Sequence, residues 1–204
     1  SPVVGNEILL NEIDGFDRLH GTFAILPLHT GELGSLEAIV EKMRAKNVRA
    51  FWAFPAEHKF LMTRAALAAL YDTMVERNLP LFISVNECCG GIGGWYLIEK
   101  ILSDAPDLTL VVTDHGSWGQ DRFFRPLIER YQNLYLDTSA YELDGGIKDL
   151  CGEYGAERLL FGTGFPRLNP GGPILTLAQA DISTREREMI SSGNLERILR
   201  RVRL

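Results

Sequence analysis

The chain has 204 residues, 46% of them hydrophobic, and a formal net charge of -6. This length supports one substantial core, so we expect a single domain over residues 1–204. The acidic balance, with no basic cluster beyond the short tail at 200–203, argues against nucleic-acid binding and favours a small neutral or cationic partner.

Targeting and redox signals are absent from the sequence pattern. No segment has the apolar length of a membrane span, and the first residues do not follow a signal-peptide pattern. The three cysteines, Cys88, Cys89 and Cys151, have neither a disulfide-framework spacing nor a metal-binding spacing. We therefore expect a cytoplasmic protein with reduced thiols and no membrane partner.

Six short apolar runs, rich in β-branched and aromatic residues, alternate along the chain with amphipathic segments. The runs cover 22–28, 48–54, 81–85, 108–113, 134–136 and 159–161. Nearly continuous apolar character is typical of parallel strands that are covered on both faces. The alternation, with a repeat of about 25 to 30 residues, predicts successive βα units of an α/β fold.

Capping residues indicate where the intervening helices begin. Ser35 and Thr63 each stand directly before a helical pattern, and Ser183 is followed three residues later by Glu186, which is a capping-box spacing. These signals predict helix starts near 36, 64 and 184.

A glycine-rich segment follows the third run. It comprises Gly90, Gly91, Gly93 and Gly94. The composition favours a flexible loop, and the alternative is a phosphate site at the start of a helix.

Four segments resemble the amidohydrolase-related family. The sequence ERLLFGTGFP at 157–166, followed by GNLERIL at 193–199, is similar to the C-terminal end of that family. VVTDHG at 111–116 resembles its sixth strand, which ends in His-x-Gly, and NLYLDTS at 133–139 resembles its seventh. The resemblance runs from the family's third strand to its end. It implies a TIM-barrel-like (β/α)-barrel, with six of the eight βα units in this chain.

The resemblance implies a metal-dependent hydrolase acting on a small organic substrate, or a decarboxylase or lyase of the same family. It also implies a divalent metal, zinc or manganese. Only His115 matches a metal-binding position of the family, because Ser84 stands in place of the fifth-strand His and no His-x-His occurs. Gly164 stands in place of the eighth-strand Asp, which the resemblance makes the general base. A catalytic zinc needs about three protein ligands, so the sequence predicts a degraded metal site and leaves open that no metal is bound.

Candidate site residues are those that follow the predicted strands, because active sites of such barrels lie at the carboxyl ends of the strands. His115 is the candidate catalytic residue and the candidate metal ligand. Asp137, Ser139, Arg167 and Trp52 are the candidate substrate-binding residues. Packing for His115 and Trp52, turn formation for Asp137 and surface exposure for Arg167 are the alternative interpretations.

Two wider groupings also remain open at this point. A relocated metal site could draw on Asp137 together with His29, His58, Glu87 and Cys88. An aromatic pocket wall could draw on Trp52, Phe54, Trp95 and Trp118.

Three hypotheses follow for the whole protein. The first is an enzyme whose remaining strands and metal ligands come from residues upstream of this chain. The second is a degenerate member that keeps the scaffold as a non-catalytic ligand-binding or interaction module. The third concerns assembly, because six strands of an eight-stranded barrel leave two open edges. Either two strands come from sequence outside this chain, or the barrel closes with fewer strands, or, as we expect, a homo-oligomer covers the gap.

Overall fold

The computed structural model describes residues 1–88, 90–116 and 119–204, so Cys89, Ser117 and Trp118 lie outside the described residues. The strands are β1 (Thr22–Ala24), β2 (Ala50–Ala53), β3 (Leu81–Ser84), β4 (Leu110–Thr113), β5 (Leu134–Asp137) and β6 (Leu159–Leu160). The helices are α1 (Pro2–Glu12), α2 (Leu36–Ala45), α3 (Pro55–His58), α4 (Arg64–Arg77), α5 (Gly91–Asp104), α6 (Asp121–Arg130), α7 (Gly146–Tyr154), α8 (Gly171–Gln179), α9 (Thr184–Glu188) and α10 (Asn194–Arg200). None of the described helices combines the length and apolar composition of a bilayer-spanning segment.

The six strands form one parallel sheet in the order β1-β2-β3-β4-β5-β6. Each strand pairs with the next one along the chain, as in successive βα units of a barrel. All six strands fall on the apolar runs of the sequence, and the predicted TIM-barrel-like α/β fold is confirmed as a six-stranded partial barrel.

Helix capping follows the sequence signals in two of three cases. The Ser35 side chain accepts a hydrogen bond from the backbone N–H of Ala38 at 3.2 Å at the start of α2. Ser183 and Glu186 form a complete capping box at the start of α9. Thr63 is the residue before α4, as predicted, but its side chain makes no capping hydrogen bond.

The helix-covered face of the sheet carries the main core. Its strand residues include Phe51, Leu81, Ile83, Leu110, Val112, Leu134 and Leu136, all buried. Helix residues such as Leu70, Met74 and Ile98 pack against them in one continuous cluster. Burial of these apolar side chains stabilises the sheet and fixes its register, because a one-residue shift would turn every strand side chain to the opposite face.

A second, smaller cluster covers the opposite face of the sheet. Register pairs Trp52 with Phe82, Phe82 with Val111, and Val111 with Tyr135, so these four side chains share that face. Ile198 of α10 packs against Val111 and Tyr135, together with Leu160 and Leu195. The C-terminal helix therefore covers part of the face that would line the interior of a barrel.

Hydrogen bonds from other segments satisfy backbone groups at both edges of the sheet. At β1, the Asn6 side chain accepts from the backbone N–H of Ala24 at 2.8 Å and donates to its carbonyl at 3.0 Å. Beyond β6, the Phe161 N–H donates to the carbonyl of Ile190 at 2.9 Å. The Asn194 side chain donates to the carbonyl of Leu159 at 2.9 Å. These contacts blunt edges that would otherwise pair with another chain.

The glycine-rich segment corrects one sequence expectation. Gly91 to Gly94 form the first turn of α5 rather than a flexible loop. A Cβ atom placed at Gly94 would lie 2.6 Å from the backbone carbonyl oxygen of Val85, just beyond β3. The glycine is therefore required because the helix approaches the strand end more closely than any larger residue allows.

We predict that Gly94→Ala destabilises the protein by about 1–3 kcal/mol, because the added methyl group displaces α5 from the backbone after β3. The check is urea unfolding followed by circular dichroism. Gly152→Ala in α7 is the matched control, because nothing lies within 4 Å of a Cβ there. An equal loss of stability in both variants would contradict the close-approach explanation.

Candidate functional site

A pocket of about 400 Å³ opens at the carboxyl ends of the strands. Its walls come from the segments that follow five of the six strands, β2 to β6. The lining residues are Trp52, Phe54, Ser84, Glu87, Thr113, Asp114, Asp137, Ser139, Gly164, Phe165, Pro166 and Arg167. This is the face at which barrel proteins place their active sites.

All four residues predicted to bind substrate line this one pocket. Trp52 comes from β2, Asp137 and Ser139 from the end of β5, and Arg167 from the segment after β6. They are up to 115 positions apart in sequence, and the parallel order of the strands brings them together. Their function as a binding site stays a prediction.

Asp114 is a pocket residue that was not among the candidates predicted from the sequence. Its side chain accepts a hydrogen bond from the Ser84 hydroxyl at 2.6 Å and forms an ion pair with Arg167. The Ser84 oxygen in turn accepts from the backbone N–H of Asn86 at 3.1 Å. This network joins the ends of β3 and β4 to the segment after β6 across the pocket.

The backbone conformation of Asp114 explains why Asp114 and His115, although adjacent in sequence, lie in different environments. Asp114 has a φ of 59°, in the left-handed region that aspartate tolerates better than most residues. Asp114 lines the pocket, whereas His115 does not. A positive φ directly after a strand end is a conformational feature that the residue order alone did not reveal.

Asp137 is a largely buried carboxyl group on the pocket wall. One oxygen accepts a hydrogen bond from the backbone N–H of Ser139 at 2.9 Å. Burial raises the pKa of Asp137, hydrogen bonds from Ser139 act in the opposite direction, and the negative charge of Asp114 raises it further. The pocket therefore has one carboxylate, Asp114, that is paired with a cation. A second carboxyl group, Asp137, has no cationic partner among the described residues.

His115 lies behind the pocket wall rather than in it. Its side chain is 1% exposed and packs between Phe124 and Tyr141, with ring centroids at 5.3 Å and 5.2 Å. Neither ring nitrogen has a hydrogen-bond partner among the described residues. Burial lowers the pKa of His115 to about 4, although backbone groups of Asp137 and Gly116 favour the charged form. The structure therefore places His115 as a neutral residue in the packing layer.

The other histidines considered from sequence do not join His115 or the pocket wall. His29 lines a separate surface depression against α4. His58 contacts the Phe54 ring edge-on at 5.6 Å between centroids. Among the alternative metal-binding residues, Glu87 lines the pocket, whereas Cys88 is buried beside it.

Two of the four proposed aromatic wall residues line the pocket. Trp52 stacks on Phe54 with ring centroids 5.8 Å apart and on Phe82 at 5.6 Å. Trp95 instead lies in the helical layer, where its indole N–H donates to the side chain of Gln120 at 2.5 Å. Trp118 is outside the described residues. The aromatic wall therefore consists of Trp52 and Phe54, and the exposed Phe165 also lines the pocket.

Gly164 is fixed by the conformation of the segment that carries Arg167. Its φ is 63°, and a Cβ there would lie 2.6 Å from the side chain of Leu168. An aspartate at this position would be strained and would displace Leu168. The glycine at position 164 and the placement of Arg167 beside Asp114 thus belong to one local conformation.

The donor set at the pocket tests whether a divalent metal fits. Across the described ranges, no three His, Cys, Asp or Glu side chains form a group able to hold a metal ion. Asp114 already uses one oxygen for Ser84 and the other for Arg167, and His115 is in the packing layer. A catalytic zinc-type site needs about three protein ligands, so the described residues do not fit one.

Comparison with protein families gives one match. The family described as Amidohydrolase matches residues 6–201. A comparison with curated proteins found no match.

Solved structures share the fold over nearly the whole chain. A TIM-barrel protein, Bb4693 from Bordetella bronchiseptica, has a TM-score of 0.77 and 23% identity, covering 96% of this chain and 72% of that one. A 4-oxalomesaconate hydratase from Rhodopseudomonas palustris has a TM-score of 0.70 and 18% identity, covering 98% and 71%. A dihydroxybenzoic acid decarboxylase from Polaromonas, with bound manganese and 2-nitroresorcinol, has a TM-score of 0.73 and 15% identity, covering 97% and 74%.

The buried His115 predicts a specific loss of stability in acid. Its pKa of about 4 is below the usual 6.5, so the unfolded chain binds a proton that the folded chain does not. Stability should therefore fall as pH decreases from about 6.5 towards 4. Between pH 7 and pH 4.5, we expect the wild type to lose on the order of 2–3 kcal/mol more than His115→Gln.

Urea unfolding at the two pH values measures this difference. His20→Gln is the control, because it makes the same replacement at an exposed histidine. Equal acid sensitivity of the wild type and His115→Gln would show that His115 does not carry the effect.

Proposed function

This chain belongs to the amidohydrolase family, and we propose that it binds a small organic molecule in the strand-end pocket without a divalent metal held by the described residues. The main support is the convergence of Trp52, Asp137, Ser139 and Arg167 on one pocket at the carboxyl ends of the strands. Function in such folds resides in the site rather than in the scaffold.

The composition of the pocket suits a small molecule with both apolar and polar parts. Trp52 and Phe54 provide an aromatic wall, and Asp137, Ser139 and Arg167 provide hydrogen-bonding groups. A volume of about 400 Å³ is within the range of roughly 300–1,000 Å³ typical of ligand pockets. Such pockets combine a mostly apolar lining with a few polar groups that orient the ligand.

The proposal of metal-free binding rests on the state of Asp114. Its carboxylate is 8% exposed and paired with the guanidinium of Arg167. A buried carboxylate requires a positive partner, and Arg167 supplies one. A metal ion at Asp114 would have to displace this ion pair, and the described residues would still not supply a set of three ligands.

Metal-dependent hydrolysis or decarboxylation of a small organic substrate is the second candidate. It is favoured by the family itself and by the manganese named in the Polaromonas decarboxylase structure. This candidate requires metal ligands beyond those that the described residues bring to the pocket.

Metal content separates the two candidates. We expect protein incubated with zinc and manganese, and then thoroughly buffer-exchanged, to retain well below one equivalent of metal per chain in elemental analysis. His115→Ala should leave that content unchanged. About one equivalent per chain, lost in Asp114→Asn but kept in the surface control Asp181→Asn, would contradict the proposal and favour the metal-dependent enzyme.

Ligand binding is tested separately. A set of small aromatic molecules, screened by ligand-observed NMR, should include binders that are weakened by Trp52→Ala and unaffected by Asp181→Asn. Absence of binding by every class of molecule would remove the support for a ligand-binding pocket.

A further inference from the structure

We propose that the strand-end pocket selects an organic cation, such as a primary amine on an aromatic or alkyl body, with Asp137 as the residue that pairs with it. The inference rests on the proposed function and names the chemical class of its ligand. Nothing in the family match or the neighbouring structures assigns a cation to this pocket.

The pocket wall carries more negative than positive charge. Three carboxyl groups, from Asp114, Asp137 and Glu87, face a single guanidinium, from Arg167. Arg167 is already paired with Asp114. The remaining negative charge resides on Asp137 and Glu87, neither of which forms an ion pair with another described residue. A cationic ligand gains from this field, whereas an anionic ligand is repelled by it.

A hydroxyl group of the pocket wall also favours a ligand with N–H donors, independently of the carboxylates. Thr113 is 6% exposed and lines the pocket, yet its hydroxyl has no hydrogen-bond partner among the described residues. Leaving such a buried group unsatisfied costs about 1–3 kcal/mol, and a polar ligand group that reaches it would remove that cost. The Thr113 hydroxyl oxygen, which lies next to the carboxyl end of β5, can accept a hydrogen bond from one N–H of an ammonium group.

Aromatic side chains complete the site. Trp52 and Phe54 line the pocket as a stacked pair, with 10° between the ring planes. Aromatic faces attract cations, most strongly when the cation is partly removed from water. The indole N–H of Trp52 is also buried without a partner among the described residues, and it suits an oxygen acceptor on the ligand body.

A carboxylate ligand at Arg167 is the competing assignment. Arg167 could bind it through a bidentate contact, since its side chain is 58% exposed. That contact would compete with Asp114 for the same guanidinium and would leave the largely buried Asp114 without its cation. The electrostatic cost therefore favours the amine.

Calorimetry with three matched probes tests the inference on the full chain. The probes are 2-phenylethylamine, 2-phenylethanol and phenylacetate, measured at pH 8 because the raised pKa of Asp137 favours its neutral form at lower pH. We expect the amine to bind at least about tenfold more tightly than phenylacetate. Loss of a charge-assisted contact in Asp137→Asn should weaken amine binding by about tenfold or more.

Two further variants keep the test decisive if Asp137→Asn does not fold. Glu87→Gln, at the pocket wall, should weaken amine binding severalfold, whereas Asp181→Asn, far from the pocket, should not change it. Preference for phenylacetate, lost in Arg167→Gln, would overturn the cation assignment and leave ligand binding intact. Binding of none of the three probes, with about one metal retained per chain, would overturn both this inference and the proposed function.

Discussion

Parallel pairing of the six strands in sequential order is the constraint on which the rest of the structure depends. Each strand is followed by a segment that returns across the sheet, so every carboxyl end lies at the same rim. Ser84 and Thr113 are direct partners in the β3–β4 register, and Asp137 ends the next strand. Hydroxyl and carboxyl groups that are 24 to 29 positions apart in sequence thereby meet in one pocket.

The motifs that carry the family resemblance serve the scaffold as much as the site. Asn194 is 1% exposed, and its side-chain amide donates to the carbonyls of Ala156 at 2.7 Å and Leu159 at 2.9 Å. Arg197 donates to the carbonyl of Glu157 at 2.6 Å. The two C-terminal motifs are therefore bound directly to each other, which holds α10 against β6. Their presence indicates the fold and carries no information about catalysis.

The polar network of the pocket depends on the conformation of the segment after β6. Gly164 adopts a left-handed conformation, and the segment that it opens carries Arg167 to Asp114. A fixed guanidinium thus provides the positive charge next to Asp114 in this chain. Because Ser84 also donates to Asp114, the polar residues at three strand ends form one network whose members depend on one another.

The sequence by itself determined the six strands, three helix starts and four pocket residues, because apolar runs, cap residues and strand-end positions are local signals. It misplaced the glycines at 91–94, since only the distance from Gly94 to Val85 shows why a helix begins there. It named His115 as the candidate catalytic residue but did not show that this ring packs between Phe124 and Tyr141, directly after the backbone turn at Asp114. Which of two adjacent side chains faces the pocket depends on backbone angles and on packing from distant helices, and only the tertiary structure decided it.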